Sequence, residues 1–318
     1  MTPYRAPAWL PGGHAQTIWP LLIKPPPLPL RRERWTTPDG DFIAVDFLDG
    51  PSATPLLVLF HGLEGSSRSH YATATARACK AAGWRFALPH FRGCSGELNR
   101  QPRSYHSGDS DEIDWILRRL LAADGNRPLC VAGVSLGGNA LLKWAGERGP
   151  AAAQVVGGIA AICAPLDLAA CGHHLARGFN RVYTRHFLNT MKAVSAARLR
   201  RFPGLYDEAR MRRAVNLYEF DDAVTAPVHG FAGADDYWRR ASAKPWLNSI
   251  AVPALAVNPK NDPFLPARYL PTADEVSCSV RLEHPAEGGH VGFVAGAFPG
   301  NLDWLPQRLL HFFTNETS

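Results

Sequence analysis

The pentapeptide Gly-Val-Ser-Leu-Gly at residues 133–137 constrains the fold of this chain more than any other feature. Residues 128–132 before it predict a short buried strand, and residues 138–144 after it predict a helix. A G-x-S-x-G sequence in that context is typical of a sharp turn that lifts a serine hydroxyl out of a sheet. It predicts Ser135 as a nucleophile and the amide of Leu136 as a donor to an oxyanion. The alternative is an ordinary glycine-serine turn, so the rest of the chain must supply a base, an acid and a second donor.

Predicted strands and helices alternate along much of the chain. The stretch at residues 56–60 is continuously apolar, which is typical of a strand buried on both faces. The alternation predicts an α/β fold with a mostly parallel central sheet and helices on both faces. The other predicted elements are a hairpin over 34–47 with a Pro-Asp-Gly turn, strands at 84–89, 154–163, 253–258 and 277–282, and helices at 71–82, 111–123 and 301–313.

Two stretches interrupt this alternation. Residues 1–30 predict an irregular N-terminal arm over the body of the protein, with a loop at residues 11–17 and a polyproline-like piece at 25–29. The spacing of His14 from the other candidate residues does not indicate a role for it. Residues 165–246 are helical in character and too long for an ordinary connection in a parallel sheet, so they predict a helical cap insertion. The predicted core then comprises residues 31–164 and 247–318.

Three further loops follow predicted strands and carry candidate groups. Leu63 lies in His-Gly-Leu after the 56–60 strand and offers a second oxyanion amide, unless the segment is only a glycine-rich turn. Asp262 follows the 253–258 strand as an acid that would orient a histidine, or it forms an Asx turn before a proline. His290 lies among glycines after the last strand, as a general base or as a structural histidine. Asp235 and Asp236 are rival acids, but they fall within the predicted cap.

The order serine, aspartate, histidine along the chain is that of α/β-hydrolases. Competing chemistries lack their motifs, because the chain has no HExxH, no GxxxxGK[ST] and no opening G-x-G-x-x-G. We therefore expect no metal and no cofactor. None of the six cysteines forms a C-x-x-C pair, and Cys130 and Cys163 are predicted to be core thiols. With neither a transmembrane stretch nor a secretory signal, the sequence predicts a cytoplasmic protein.

The formal net charge of +6 is concentrated in one segment. Residues 171–213 hold ten Lys or Arg against two Asp or Glu, a surplus of eight. Arg177, Arg181 and Arg185 are four apart and are predicted to share a helix face. That face is either simply solvated or makes a weak peripheral contact with anionic substrates or an anionic membrane surface. No nucleic-acid-binding motif is present, so nucleic acid is not an expected partner.

Motifs spread over nearly the whole chain resemble those of the YheT-like α/β-hydrolases of bacteria and their eukaryotic relatives, the membrane-bound α/β-hydrolase-domain lipases. The matching segments are Gly13–Thr17, His61–Ser66, Phe91–Gly96, Gly133–Asn139, Phe220–Asp222 with His229–Phe231, Asn258–Pro266 and Gly289–Phe293.

This resemblance implies the α/β-hydrolase fold and a catalytic triad of Ser135, Asp262 and His290. It also implies an esterase acting on small acyl esters, either short-chain or lipid-like. We expect no N-terminal membrane anchor of the kind found in the eukaryotic relatives, and the chain has Asn261-Asp262 where they often carry two acids. An acyltransferase, a thioesterase and a non-catalytic binding protein are the alternatives on the same fold. The oligomeric state does not follow from the sequence.

Overall fold

The computed structural model describes residues 2–317. A single eight-stranded sheet runs through the protein. Its strands in chain order are β1 (Arg31–Thr36), β2 (Phe42–Leu48), β3 (Leu56–Phe60), β4 (Arg85–Pro89), β5 (Leu129–Val134), β6 (Val156–Ile162), β7 (Ala254–Val257) and β8 (Val280–Glu283). The spatial order is β1-β2-β4-β3-β5-β6-β7-β8. The first two strands form an antiparallel hairpin, β2 pairs antiparallel with β4, and every later pairing is parallel. The predicted α/β-hydrolase architecture is confirmed.

Eleven α-helices precede, connect and follow the strands among residues 2–317. They are α1 (Gly13–Ile18), α2 (His70–Ala81), α3 (Ser110–Ala123), α4 (Leu136–Arg148), α5 (Leu168–Leu175), α6 (Arg181–Arg201), α7 (Glu208–Arg213), α8 (Leu217–Phe220), α9 (Ala226–His229), α10 (Ala234–Ala241) and α11 (Trp304–Asn315). Across residues 2–317, no helix combines the length and the apolar character that crossing a membrane requires.

Apolar side chains cover both faces of the sheet. Because successive side chains of a strand point to opposite faces, β3 contributes Val58 to one core and Leu57 and Leu59 to the other. The Val58 core packs against α3 and α4, and the Leu57 core packs against α2 and α11. A continuous apolar strand is therefore required here, since neither face of β3 meets water.

The parallel strands bring the predicted site residues to one edge of the sheet. The carboxyl ends of parallel strands share an edge, and it is there that ligands bind in open α/β sheets. Leu63 follows β3, Ser135 follows β5, Asp262 follows β7 and His290 follows β8. The fold therefore gathers four loops that are distant in sequence.

The connection from β6 to β7 contains helices α5 to α10 and lies beside that edge. The boundaries predicted for a cap, residues 165–246, stay a prediction, as do those of the core and the arm. The predicted arginine face is wrong in one respect. Arg181 and Arg185 lie one turn apart on α6, but Arg177 precedes a separate 3₁₀ turn over Gly178–Asn180 and is not on that helix.

The N-terminal arm also differs from its prediction. Residues 13–17, expected in a loop, belong to helix α1. Six residues are too few for a helix that is stable in isolation, so packing must hold it. A β-carbon on Gly13 would collide with the carbonyl oxygen of Asn261, which shows how closely α1 approaches the loop after β7. The contact between Gly13 and the Asn261 loop could not be predicted from the sequence.

All six cysteines are free thiols. Cys163, at the end of β6, is buried as expected. Cys130 is only partly buried, because its side chain lies at the edge of the Leu57 core.

Candidate active site

Ser135 occupies a strained turn between β5 and α4. Its backbone adopts φ 52° and ψ −119°, a region that non-glycine residues rarely enter. A methyl group on Gly133 would lie 2.5 Å from the Gly137 carbonyl oxygen, and one on Gly137 would lie 2.5 Å from the His61 carbonyl oxygen. The two glycines of the motif are thus required sterically, and the turn holds the serine hydroxyl above the sheet edge.

A chain of hydrogen bonds joins the three predicted triad residues. The Nε2 atom of His290 lies 3.0 Å from the Ser135 hydroxyl oxygen, and its Nδ1 atom lies 2.9 Å from Asp262 Oδ2. The Asp262 and His290 side chains are 2% and 10% exposed, so the hydrogen bond between them is shielded from water. With Nδ1–H donating to the carboxylate, Nε2 is the acceptor for the serine proton. This is the tautomer that a general base needs.

Phe264 contacts both Asp262 and His290 and holds their side chains in place. Its backbone N–H donates to Asp262 Oδ1 at 2.8 Å, which leaves Oδ2 to accept from the imidazole. Its ring stacks on the His290 ring with centroids 3.8 Å apart and planes inclined by 16°. No sequence motif marks Phe264, and its only signal is its place two residues after the acid.

The rival acids lie elsewhere. Asp235 accepts a hydrogen bond from the Tyr218 hydroxyl at 2.9 Å, and Asp236 is ion-paired with Arg239 and Arg240. Both carboxylates lie on α10 and are engaged there, so neither is the partner of the imidazole.

The two predicted oxyanion amides are free. Within residues 2–317, neither the Leu63 nor the Leu136 N–H donates a hydrogen bond. Both residues border the cavity into which Ser135 opens. The amides on either side of Leu63 are tied to phenols, since Gly62 N–H donates to Tyr71 at 2.9 Å and Glu64 N–H donates to Tyr105 at 3.0 Å. The tyrosines thus fix the loop and leave its middle amide unsatisfied.

His61 supports this loop rather than moving protons. It is fully buried, and burial lowers its pKa to about 3, so the ring is neutral at physiological pH. Its Nδ1–H donates to the Gly62 carbonyl at 2.7 Å, and its Nε2 accepts the Phe91 N–H at 3.1 Å. The imidazole therefore joins the loops after β3 and β4.

The N-terminal helix α1 holds the loop that carries His290. The hydroxyl of Thr17 accepts the backbone N–H of His290 at 2.8 Å. The amide oxygen of Gln16, which is fully buried, accepts from Gly288 N–H and from the Asn261 side chain, both at 2.9 Å. Asn261 in turn accepts Gly289 N–H at 3.0 Å. The arm, the acid loop and the histidine loop form one network.

We expect Thr17→Val to lower kcat for ester hydrolysis by about 10- to 100-fold, with KM changed little. The substitution keeps the shape of the side chain but leaves the His290 amide without its acceptor, a loss of about 1–3 kcal/mol that shifts the imidazole. Steady-state kinetics on a 4-nitrophenyl ester measures the effect. Thr17→Ser is the matched control because it keeps the hydroxyl and should retain kcat. Equal kcat for all three proteins would show that the arm does not position the base.

His14, unassigned from sequence, faces the helical segment. Its Nδ1 atom lies 3.0 Å from the Tyr183 hydroxyl, and its ring packs edge-on against Phe179 at 4.6 Å between centroids. The arm therefore bridges the histidine loop and α6.

A largely apolar cavity opens onto Ser135. Its walls come from the loops after β3, β4 and β5 and from the helices between β6 and β7. The aliphatic part includes Leu168, Leu175, Met191, Leu217 and Val224. Such a lining suits an acyl chain or another apolar group next to the serine.

Cys163 completes a group of potential metal ligands with Asp262 and His290, whose donor atoms lie within 4.8 Å of one another. The donor chemistry fits a metal poorly. Burial, with the nearby Asp262 charge, raises the pKa of the Cys163 thiol, whereas a metal ligand must be a thiolate. The sulfur also accepts the Val291 N–H at 3.2 Å. The arrangement favours a neutral thiol packed behind the histidine.

Comparisons with known proteins identify the family of this chain. The model of the family described as alpha/beta hydrolase fold matches residues 55–297. The Escherichia coli (strain K12) protein "Putative esterase YheT" is 39% identical over 316 residues, covering 95% of this chain and 90% of that protein. The Homo sapiens protein "Phospholipase ABHD3" is 28% identical over 321 residues, covering 97% of this chain and 78% of that protein. The structure of "Est1E from Butyrivibrio proteoclasticus" superimposes with a TM-score of 0.55 at 13% identity, covering 90% and 98% of the two chains, and shows likeness of fold alone.

Proposed function

This chain belongs to the α/β-hydrolase family, in its YheT-like branch, and we propose that it is a serine hydrolase that cleaves carboxylic esters through an acyl-enzyme on Ser135. The observation that carries the proposal is the hydrogen-bonded series from Ser135 through His290 to Asp262, beside two unsatisfied amides. A nucleophile, an oriented base and oxyanion donors are the parts that acyl transfer needs. Similarity to proteins named as an esterase and as a phospholipase supports the same class of reaction.

In the first step, His290 Nε2 takes the hydroxyl proton as Ser135 Oγ bonds to the ester carbonyl carbon. The carbonyl oxygen becomes an oxyanion, which the amides of Leu63 and Leu136 stabilise by roughly 3 kcal/mol per donor. The carboxylate of Asp262 stabilises the imidazolium. The tetrahedral intermediate then breaks the bond to the alcohol oxygen, which leaves with the proton from Nε2.

In the second step, water attacks the acyl-enzyme. His290 accepts a proton from the water as the new carbon–oxygen bond forms, and the same two amides hold the second oxyanion. Collapse of this intermediate releases the carboxylic acid, and the proton returns to Ser135 Oγ. An alcohol or a thiol in place of water would make the same machinery an acyltransferase, so the acceptor distinguishes the two activities.

The test is a rapid-quench experiment with 4-nitrophenyl esters of graded acyl length. We expect a burst of nitrophenolate equal to the active-site concentration, because nitrophenolate is a good leaving group and acylation of Ser135 is then faster than hydrolysis of the acyl-enzyme. Intact mass and peptide mapping of the acid-quenched protein should place the acyl group on the peptide that contains Ser135. The aliphatic lining of the cavity predicts faster acylation as the chain lengthens from acetyl.

Parallel reactions with glycerol added, and with acyl thioesters of the same chains, separate a hydrolase from a transferase or a thioesterase. A hydrolase releases the acyl group as free acid whether or not glycerol is present, whereas an acyltransferase transfers it to glycerol. Ester turnover with no acyl adduct on the Ser135 peptide would contradict the proposed mechanism.

A further inference from the structure

Arg198 on α6 is a buried cation without an ion-paired carboxylate. Arg198 is 7% exposed, and it borders the same cavity as Ser135. Within residues 2–317, no carboxylate lies within 4.0 Å of its guanidinium. A buried charge that lacks a partner is costly, so the arrangement calls for an anion from outside the chain.

The other buried arginines behave differently. Arg92 pairs with Glu112, Asp39 and Asp41, and Arg308 pairs with two further glutamates. Each is satisfied by carboxylates from its own chain. Among the described residues, Arg198 therefore stands apart from every arginine of comparable burial.

The polar neighbours of Arg198 are already engaged. The Glu64 carboxylate accepts the Tyr105 hydroxyl at 2.8 Å and lies beyond ion-pairing distance of the guanidinium. Burial raises the pKa of Glu64, which further weakens it as a counter-charge. The neutral phenol of Tyr206 interacts with Arg198 but donates its own proton to the Ser195 carbonyl at 2.8 Å. Glu64 is close enough for the Arg198 charge to act on its pKa, but neither Glu64 nor Tyr206 forms an ion pair with the guanidinium.

A second unsatisfied group borders the cavity. The Nε2 atom of His229 is buried and has no hydrogen-bond partner in the described chain. Burial lowers the pKa of His229 to about 3, with a contribution from nearby cations that include Arg198. The ring is therefore neutral and adds no positive charge beside Arg198. Arg198 and a neutral histidine thus border one largely apolar cavity.

We propose that the cavity recognises an ester substrate that carries an anionic oxygen group, a carboxylate or a phosphate, and that Arg198 pairs with this group. The inference rests on the proposed serine esterase function and names its substrate class. A guanidinium offers a planar pair of donors that matches both kinds of oxyanion. The apolar walls of the same cavity accommodate the carbon chain that links the anion to the ester.

Two matched pairs of substrates locate the anion. For the acyl side, the 4-nitrophenyl half-ester of adipic acid is compared with the ester in which an isopropyl group replaces its terminal carboxylate. For the alcohol side, a 1-acylglycerol 3-phosphate is compared with the 1-acylglycerol of the same chain. We expect kcat/KM to favour the anionic member of one pair by about 10-fold or more, because the anion replaces an unpaired buried charge with a pair.

Arg198→Gln should reduce this ratio to about one, and Arg198→Lys should retain part of it because the charge remains but the planar fork is lost. Arg200→Gln is the matched control: it removes an exposed arginine from the same helix and should leave the ratio unchanged. Preference in the acyl pair identifies a carboxylate on the acid, and preference in the alcohol pair identifies a phosphate on the leaving group.

Turnover of the neutral esters without an anionic preference in either pair would overturn the proposed subsite while leaving the esterase function intact. A preference that survives in Arg198→Gln would overturn it equally, since another cation would then be responsible. Failure of every ester to react would instead contradict the proposed function itself. If Arg198→Gln does not fold, the proposal is tested by the kcat/KM ratio of the anionic to the neutral substrate in the wild type and in Arg198→Lys.

Discussion

Replacement of Ser135 by alanine is expected to lower kcat for ester hydrolysis by about 10⁵- to 10⁶-fold, since removal of a serine nucleophile eliminates the covalent route. The residual rate should come from substrate binding and the Leu63 and Leu136 amides alone, which together still exceed the uncatalysed rate. The variant should also lose labelling by a fluorophosphonate, which reacts only with an activated serine. Hydrolysis of a 4-nitrophenyl ester and in-gel fluorescence of the labelled protein measure the two effects.

The fold should survive this change, because alanine removes one oxygen atom and leaves the glycines at 133 and 137 in place. Thermal unfolding of the variant within a few degrees of the wild type checks this. Ser52→Ala, at an exposed position in the loop before β3, is the control and should keep both activity and labelling. Undiminished labelling of Ser135→Ala would falsify the assignment of the nucleophile.

Replacement of Asp262 by asparagine is expected to lower kcat by about 10⁴-fold, with KM changed little, because the amide favours the wrong histidine tautomer. The carboxylate oxygen 2.9 Å from His290 Nδ1 accepts a hydrogen bond from the Nδ1–H group. An amide nitrogen at the same position donates instead, which places the imidazole proton on Nε2 and faces it toward Ser135. The base is then unable to accept the serine proton.

The shape of the site should be preserved in this variant, since the amide oxygen of asparagine can still accept the Phe264 N–H. Asp235→Asn is the matched control, because it makes the same chemical change in an acid on α10 that contacts Tyr218 instead of the imidazole. We expect wild-type kcat from it. Loss of activity in Asp235→Asn together with normal kcat in Asp262→Asn would reverse the assignment of the acid.

Much of the fold was predictable because its causes are local. The continuous apolar stretch of β3 can only be a strand buried on both faces, and alternation with amphipathic helices then requires a parallel sheet. The turn at Ser135 is equally local, since glycines at 133 and 137 are needed by atoms within a few residues or in the adjacent strand end. Strand ends and helix boundaries differed from their predictions by only a few residues.

The N-terminal arm shows where local reasoning fails. Residues 11–17 contain Gly-Gly and no apolar periodicity, so their sequence predicts a loop. The six-residue helix α1 forms because Gln16 and Thr17 satisfy amides of the His290 loop more than 270 positions away. The resemblance to a known family drew attention to Gly13–Thr17, but the partners of these side chains are set by contacts distant in sequence.

The sequence by itself determined which residues the proposed chemistry would use: an elbow serine, an acid and a histidine in the order of an α/β-hydrolase, on strands whose carboxyl ends must share an edge. Only the tertiary structure decided what surrounds them. Tyr71 and Tyr105 leave the Leu63 amide free, and Arg198 lies unpaired in the cavity. Backbone strain and hydrophobic burial are short-range consequences of residue type, whereas the satisfaction of a polar group depends on which distant segment folds against it.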